Sequence, residues 1–134
     1  AASDVYKRQV ITTDTADAMV FKNLKGISFE EVTENLKKYL EYDVTGTSIQ
    51  NKFIILPNIN DTEESISKWV EFNAELGVKN LAIDIEAVFF TRNRDNISSR
   101  LKNLVKFAEE KIKSKGLNCI LYNFASQMRY DDKR

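Results

Sequence analysis

Asn80-Leu81-Ala82-Ile83-Asp84-Ile85-Glu86 is a short apolar run that carries two acids. A run of this length between polar neighbours reads as a strand. Outward from it, Lys52-Phe53-Ile54-Ile55-Leu56-Pro57-Asn58-Ile59-Asn60-Asp61 is an earlier apolar run that ends in a turn and a helix-cap signal. Asn118-Cys119-Ile120-Leu121-Tyr122-Asn123-Phe124 is a later one. Long amphipathic stretches separate the three. Strand, helix, strand, helix, strand is the pattern of a parallel sheet with crossover helices. The unit recurs at roughly 30 residues, the size of a βαβ unit. Folds of this kind put their chemistry where strands end. Function is therefore sought after Leu56, Ile85 and Tyr122, and near the chain's start.

Local signals fill in the rest. Residues 1–9 show neither period nor cap and read as a foreign or frayed leader. Val10 to Thr13 is β-prone. Asp14 to Leu24 reads as a short helix with Ala18, Phe21 and Leu24 on one side, broken at Gly26; Asp14 is its candidate cap. Ser28 and Glu31 have the spacing of a capping box, with Ile27 and Val32 as a hydrophobic staple. Val32, Leu36, Tyr39 and Leu40 continue that helix to near Asp43, and Gly46 marks a loop. Phe53 to Leu56 is apolar throughout, as a strand covered on both faces requires. Pro57 stops it. Asn60 or Asp61 caps a helix to about Leu76, with Ile66, Trp69, Val70, Asn73 and Leu76 inward and Gly77 at its end. Asp95 or Ser98 caps a long helix with Leu101, Leu104, Val105, Ala108 and Ile112 inward. The sum is an α/β fold of four parallel strands and four helices, followed by a charged tail over residues 128–134.

Composition narrows the function classes. Lys plus Arg equals Asp plus Glu at 20 each, so no broad electrostatic attraction to nucleic acid or an anionic membrane is expected. No apolar run approaches the ~20 residues of a membrane span. A cytoplasmic protein is the default expectation. The sequence has no histidine and one cysteine, Cys119. That excludes histidine-based triads and zinc sites of common spacing. Cys119 sits in an apolar run and reads as a buried, inert thiol. No glycine-rich dinucleotide or phosphate loop is present.

The acids of the third strand stand out. Strand side chains alternate, so Leu81, Ile83 and Ile85 share one face while Ala82, Asp84 and Glu86 share the other. An unpaired buried charge costs several kcal/mol. That second face therefore looks into a wet or ligand-filled cavity, such as a barrel mouth. The alternative is a set of structural ion pairs with Arg92, Arg94 or lysines. Asn58, Asn60 and Asp61 are explained by turn chemistry, and Asn123, Ser126 and Gln127 follow the last strand where ligand contacts would also fall.

Several stretches, taken in order, resemble the radical S-adenosylmethionine (radical SAM) enzymes. Thr12-Thr13-Asp14, then Phe21-Lys22-Asn23-Leu24-Lys25-Gly26, is similar to that family's passage of serine, an apolar residue and aspartate followed by an aromatic-Lys-x-Ile-Lys-Gly turn. Phe29 to Tyr39 resembles the helix that follows. Ile54-Ile55-Leu56-Pro57-Asn58-Ile59-Asn60-Asp61 is similar to the family's Ile-Pro-Gly-Ile-Asn-Asp stretch, with Asn58 at the glycine. Thr13 replaces an apolar residue and Ala16 a glycine.

The resemblance implies a partial (β/α) barrel, half of a TIM-like barrel, with residues 10–127 forming its C-terminal part. It implies S-adenosylmethionine and a 4Fe-4S cluster as cofactors of the parent protein, used to abstract hydrogen from a substrate. The family's cysteine triad is absent here, so neither cofactor is expected to be held stably by this stretch and no activity is expected of it alone. Carried residue by residue, Thr12 and Asp14 would be cofactor-binding, while Asp84, Glu86 and Asn123 would be substrate-binding. The implied partners are the missing N-terminal half of the barrel and a small-molecule or peptide substrate, with no nucleic acid and no membrane. Two other readings stand beside it. One is a complete α/β module that binds a ligand or partner without catalysis. The other is a hydrolase using Asp84 and Glu86, which lie ~6.6 Å apart along the strand but project side by side.

Overall fold

The computed structural model describes residues 9–42, 49–86 and 99–131. Within them lie β1 (Gln9–Thr12), α1 (Ala18–Lys25), α2 (Phe29–Tyr42), β2 (Ile49–Ile55), α3 (Glu63–Leu76), β3 (Asn80–Ile85), α4 (Ser99–Ser114), β4 (Asn118–Leu121) and α5 (Asn123–Asp131). The four strands form one sheet in the order β1-β2-β3-β4, and every pairing is parallel. The expected α/β architecture is therefore present, with five described helices rather than four. The added helix is α5, which starts at Asn123 and runs into the tail.

A monotonic strand order has a geometric consequence. Right-handed crossovers that all step in one direction leave their helices on one face of the sheet. A doubly wound sheet needs a reversal in strand order, and none occurs among the described strands. The side chains agree. Ile49, Phe53, Ile55, Leu81, Ile83 and Ile85 join the core formed with α2, α3 and α4. Ile66, Trp69 and Val70 of α3 and Leu101, Val105, Ala108 and Ile112 of α4 are buried there as the periodicity predicts. Each fully buried large side chain contributes about 1.5–3 kcal/mol. The Phe53 and Trp69 rings meet edge-on at 5.1 Å. Phe29 stands 5.3 Å from Phe21 and 4.9 Å from Phe72, which ties α1 and α2 to α3.

Several boundaries move from their sequence positions. Gln9 belongs to β1, paired with Ile49, rather than to the leader. The first helix starts at Ala18, because Asp17, not Asp14, accepts from the Met19 and Val20 amides. Ser28 caps α2 through the Glu30 amide at 3.2 Å. Thr62 caps α3 through the Ser65 amide, which displaces Asn60 and Asp61 from that role. Strand β2 begins four residues before Phe53, at Ile49. Arg92, Arg94, Asp95, Ser98 and Gly46 lie outside the described residues.

Candidate functional site

The face of the sheet turned away from the core is polar, and the register fixes its composition. Thr12 pairs with Lys52, Lys52 with Ala82, and Ala82 with Ile120, so the four form one row across the strands. Gln50, Asn80 and Asn118 form the row beneath, with an Asn118–Asn80 amide bond of 2.9 Å. Ile54 and Asp84 form the row above. Tyr122 follows β4, and its amide donates to the Ile83 carbonyl, which carries the ladder one step further.

These rows bring four side chains together over β3. The Gln50 amide donates to the Tyr122 hydroxyl. The Lys52 ammonium lies 4.5 Å from the Tyr122 ring centroid and 3.8 Å from Asp84 Oδ2. An ammonium over a tyrosine face is attracted by the ring quadrupole. Ala82, fully buried, sits between β2 and β4 in this row. Its methyl group leaves room for side chains from both neighbours to meet above it. A larger residue there would separate them.

Asp84 is buried at 7% exposure, so the charge of this strand does not face bulk water. Its Oδ1 accepts from the amides of Ile85 at 2.8 Å, Phe124 at 3.2 Å and Ala125 at 3.4 Å. Both readings of the acidic face thus have a counterpart: Asp84 lies on a polar surface, and it is also engaged by protein groups. Glu86 is half-buried, and its amide donates to the Ile55 carbonyl. Asn123 is exposed at the first turn of α5.

Asp14 lies apart, beyond the end of β1. Its backbone is left-handed at φ 60°, a conformation that costs most residues energy but that Asp tolerates. Oδ1 accepts from the Ile54 amide at 2.6 Å and Oδ2 pairs with Lys25 at 3.0 Å. The Asp14 carbonyl accepts from Asn60, whose side chain also bonds to Ile54 and Leu56. Asp14 and Asn60 therefore take over the ladder where β1 stops. Thr12 is half-buried on the polar face, in register with Lys52. The structure joins Asp84 to Lys52 and to the α5 end beside Asn123. It does not join them to Asp14.

Sequence reasoning missed Gln50, Lys52 and Tyr122. No chemical alternation marked them: Gln50, Asn51 and Lys52 are all polar and Phe53, Ile54 and Ile55 all apolar, so it is the sheet register that places Gln50 and Lys52 on the face opposite the core. A cleft of about 520 Å³ lies elsewhere, against the start of α3 and α4. Two of its charged groups, Arg100 and Asp61, bond each other at 3.1 Å, and Glu63 also lines it. The polar face, by contrast, gathers side chains from β2, β3 and the segment that follows β4.

An iron–sulfur cluster is not matched by the residues present. The sequence holds one cysteine, and no group of three metal-ligating side chains occurs among the described residues. Cys119 packs against the core on the helix side of β4. Burial, with Glu109 nearby and Lys113 opposing, pushes its thiol up to about 11. No described helix is long and apolar enough to cross a membrane.

No protein-family model matches the chain, and no curated protein matches it in sequence. In fold, the chain is similar to a solved structure, a domain of pyruvate-formate lyase-activating enzyme from Bacteroides vulgatus ATCC 8482, with a TM-score of 0.63 and 16% identity. The match covers 85% of this chain and 66% of that domain, so the chain spans a little under two thirds of its neighbour. At such identity the likeness speaks for the fold alone.

Proposed function

We propose that this chain is the C-terminal part of the core barrel of a radical SAM enzyme. The observation that carries the reading is the sheet: four parallel strands in chain order, helices on one face and polar side chains on the other. That is a segment of barrel wall with its lining. The fold likeness to a domain of an enzyme from that family supports it, as does the ordered sequence resemblance. Asn58 adds a local support. It stands where the family has glycine, and its φ of 62° is the left-handed conformation that glycine adopts freely.

In this reading the parent protein reductively cleaves S-adenosylmethionine. The cluster it needs is held by cysteines outside this sequence. The missing N-terminal half of the barrel joins along β1. Thr12 and Asp14 stand on the cofactor side, and the β3 and β4 ends with Asp84, Glu86 and Asn123 on the substrate side. This chain's own contribution is to orient polar groups over β3 and to exclude water from the core behind them.

The test is the complete coding sequence, expressed and reconstituted anaerobically with iron, sulfide and a reductant. A closely spaced cysteine triad upstream, with methionine released from S-adenosylmethionine, is the expected result. A complete protein with no such triad and no methionine release would overturn the proposal.

A further inference from the structure

We infer that Asp84 is a positioning residue: it caps α5 from the neighbouring strand and holds the Lys52 ammonium over the Tyr122 ring, so that Lys52 is the cationic group presented above Ala82. The inference deepens the reading above and rests on it only in taking this face as the ligand-bearing one.

The argument starts at the beginning of α5. The Ser126 amide donates to the Tyr122 carbonyl at 2.9 Å, so Tyr122 occupies the cap position of that helix. A helix leaves its first amides without an internal acceptor, and the cap side chain normally supplies one to the second or third residue. A tyrosine ring cannot reach back in this way. The amides of Phe124 and Ala125, the second and third residues of α5, bond instead to Asp84 Oδ1. Asp84 therefore does for α5 what Asp17 does for α1, but from β3. A carboxylate at a helix N-terminus is also favoured by the helix dipole.

Because the cap is supplied from elsewhere, Tyr122 is released for the polar face. Its hydroxyl bonds Gln50, and its ring lies under Lys52. The second Asp84 oxygen faces the Lys52 ammonium at 3.8 Å. One carboxylate thus sets the start of α5, the place of the tyrosine and the direction of the lysine. Its Oδ1 is taken up by three backbone amides, and its Oδ2 faces the Lys52 ammonium. The Lys52 side chain retains 21% exposure against 10% for Asp84. A ligand group meeting the face at this point meets an ammonium, and so must be an anion or an oxygen acceptor.

The experiment separates the two roles of the carboxylate in the folded chain without cofactors. Asp84→Asn keeps an oxygen for the α5 amides but removes the charge opposite Lys52. Asp84→Ala removes both. Hydrogen exchange of the α5 amides reads the cap, and limiting acetylation, located by peptide mass, reads Lys52. In the Asn variant α5 exchange stays at the parent rate while Lys52 acetylation rises several-fold. In the Ala variant α5 exchange also rises, roughly fivefold for an ordinary cap. Lys111, which pairs with Glu71 across α3 and α4, serves as the control against general loosening and keeps its parent rate in both. Unchanged Lys52 acetylation in Asp84→Asn would overturn the inference, and so would a rise matched by Lys111. If the Ala variant does not fold, the Asn variant carries the test. None of these readouts depends on cleavage of S-adenosylmethionine, so the inference and the family reading fail by different results.

Discussion

Asn58 shows how a single backbone angle can be read twice. Its φ of 62° places an L-residue in the left-handed region. Asparagine is among the few side chains that occupy it without large strain. Asn58→Gly is expected to be near neutral in urea unfolding, whereas Asn58→Ala loses about 1 kcal/mol. Equal stability of the two variants would remove the argument that this turn demands a left-handed residue. Cys119 gives a second prediction at this scale. Its thiol titrates at about 11 in the folded chain, above its ordinary value of 9.0, because burial disfavours the thiolate. The raised value means that the folded state binds the proton more tightly than the unfolded one. Its contribution to stability is present below the ordinary value and is lost as pH climbs from there through about 11. Iodoacetamide should therefore label native Cys119 slowly at pH values where the urea-unfolded chain reacts quickly. Equal rates would show that the thiol is exposed.

At the scale of elements, the joint between β1, β2 and α3 is polar, although apolar residues surround it. Trp69 Nε1 donates to the Thr13 hydroxyl at 2.8 Å, and that hydroxyl donates to Asn51 at 3.1 Å. Asn51 donates to Asn73 at 2.8 Å, and Asn73 returns to the Trp69 carbonyl at 2.8 Å. The ring is closed and fully buried, so each member satisfies another. Thr13→Val keeps the shape but orphans the indole N–H and the Asn51 oxygen, a loss of about 1–3 kcal/mol. Asn73→Leu breaks the same ring from the helix side. The two losses should fall short of additivity in the double variant, by about 0.5–3 kcal/mol. Strict additivity in denaturant unfolding would mean that the ring is not a unit. This joint also shows where the sequence was legible. Asn73 fell on the inward stripe of its helix by period alone. Its partner could not be named, because Asn51 and Thr13 are brought to it by a register that only the folded sheet defines. The helix caps fail in a related way. Asp14, Asn60 and Asp61 all have capping chemistry, but Asp14 and Asn60 complete the β2 ladder and Asp61 binds Arg100, so Asp17 and Thr62 cap instead. The acidic face of β3 was readable from alternation. The side chains that meet it come from β2, paired with β3 at an offset of 30 residues (Gln50, Lys52), and from just past β4, paired at an offset of 38 (Tyr122), beyond the reach of any local pattern.

For the whole molecule, the open question is where the sheet continues. β3 is paired on both sides, and all six of its residues are buried. β1 pairs with β2 alone and β4 with β3 alone among the described strands. An open edge leaves a row of amides without ladder partners, which favours pairing with another chain. The apolar groove beside β1, lined by Ile11, Val32, Leu36, Tyr39 and Ile49, lies on the same margin. Under the barrel reading, the rest of the wall joins there. Hydrogen exchange then has a definite order. In this chain alone, the β3 amides exchange only through global unfolding, while the β1 amides directed away from β2 exchange fast. In the full-length protein those β1 amides slow by orders of magnitude, because a neighbouring strand now accepts from them, and the β3 amides keep their place at the top of the order. Outer β1 amides that stay fast in the complete protein would show that β1 remains an edge, and the closed wall would have to be abandoned even with the parallel sheet intact.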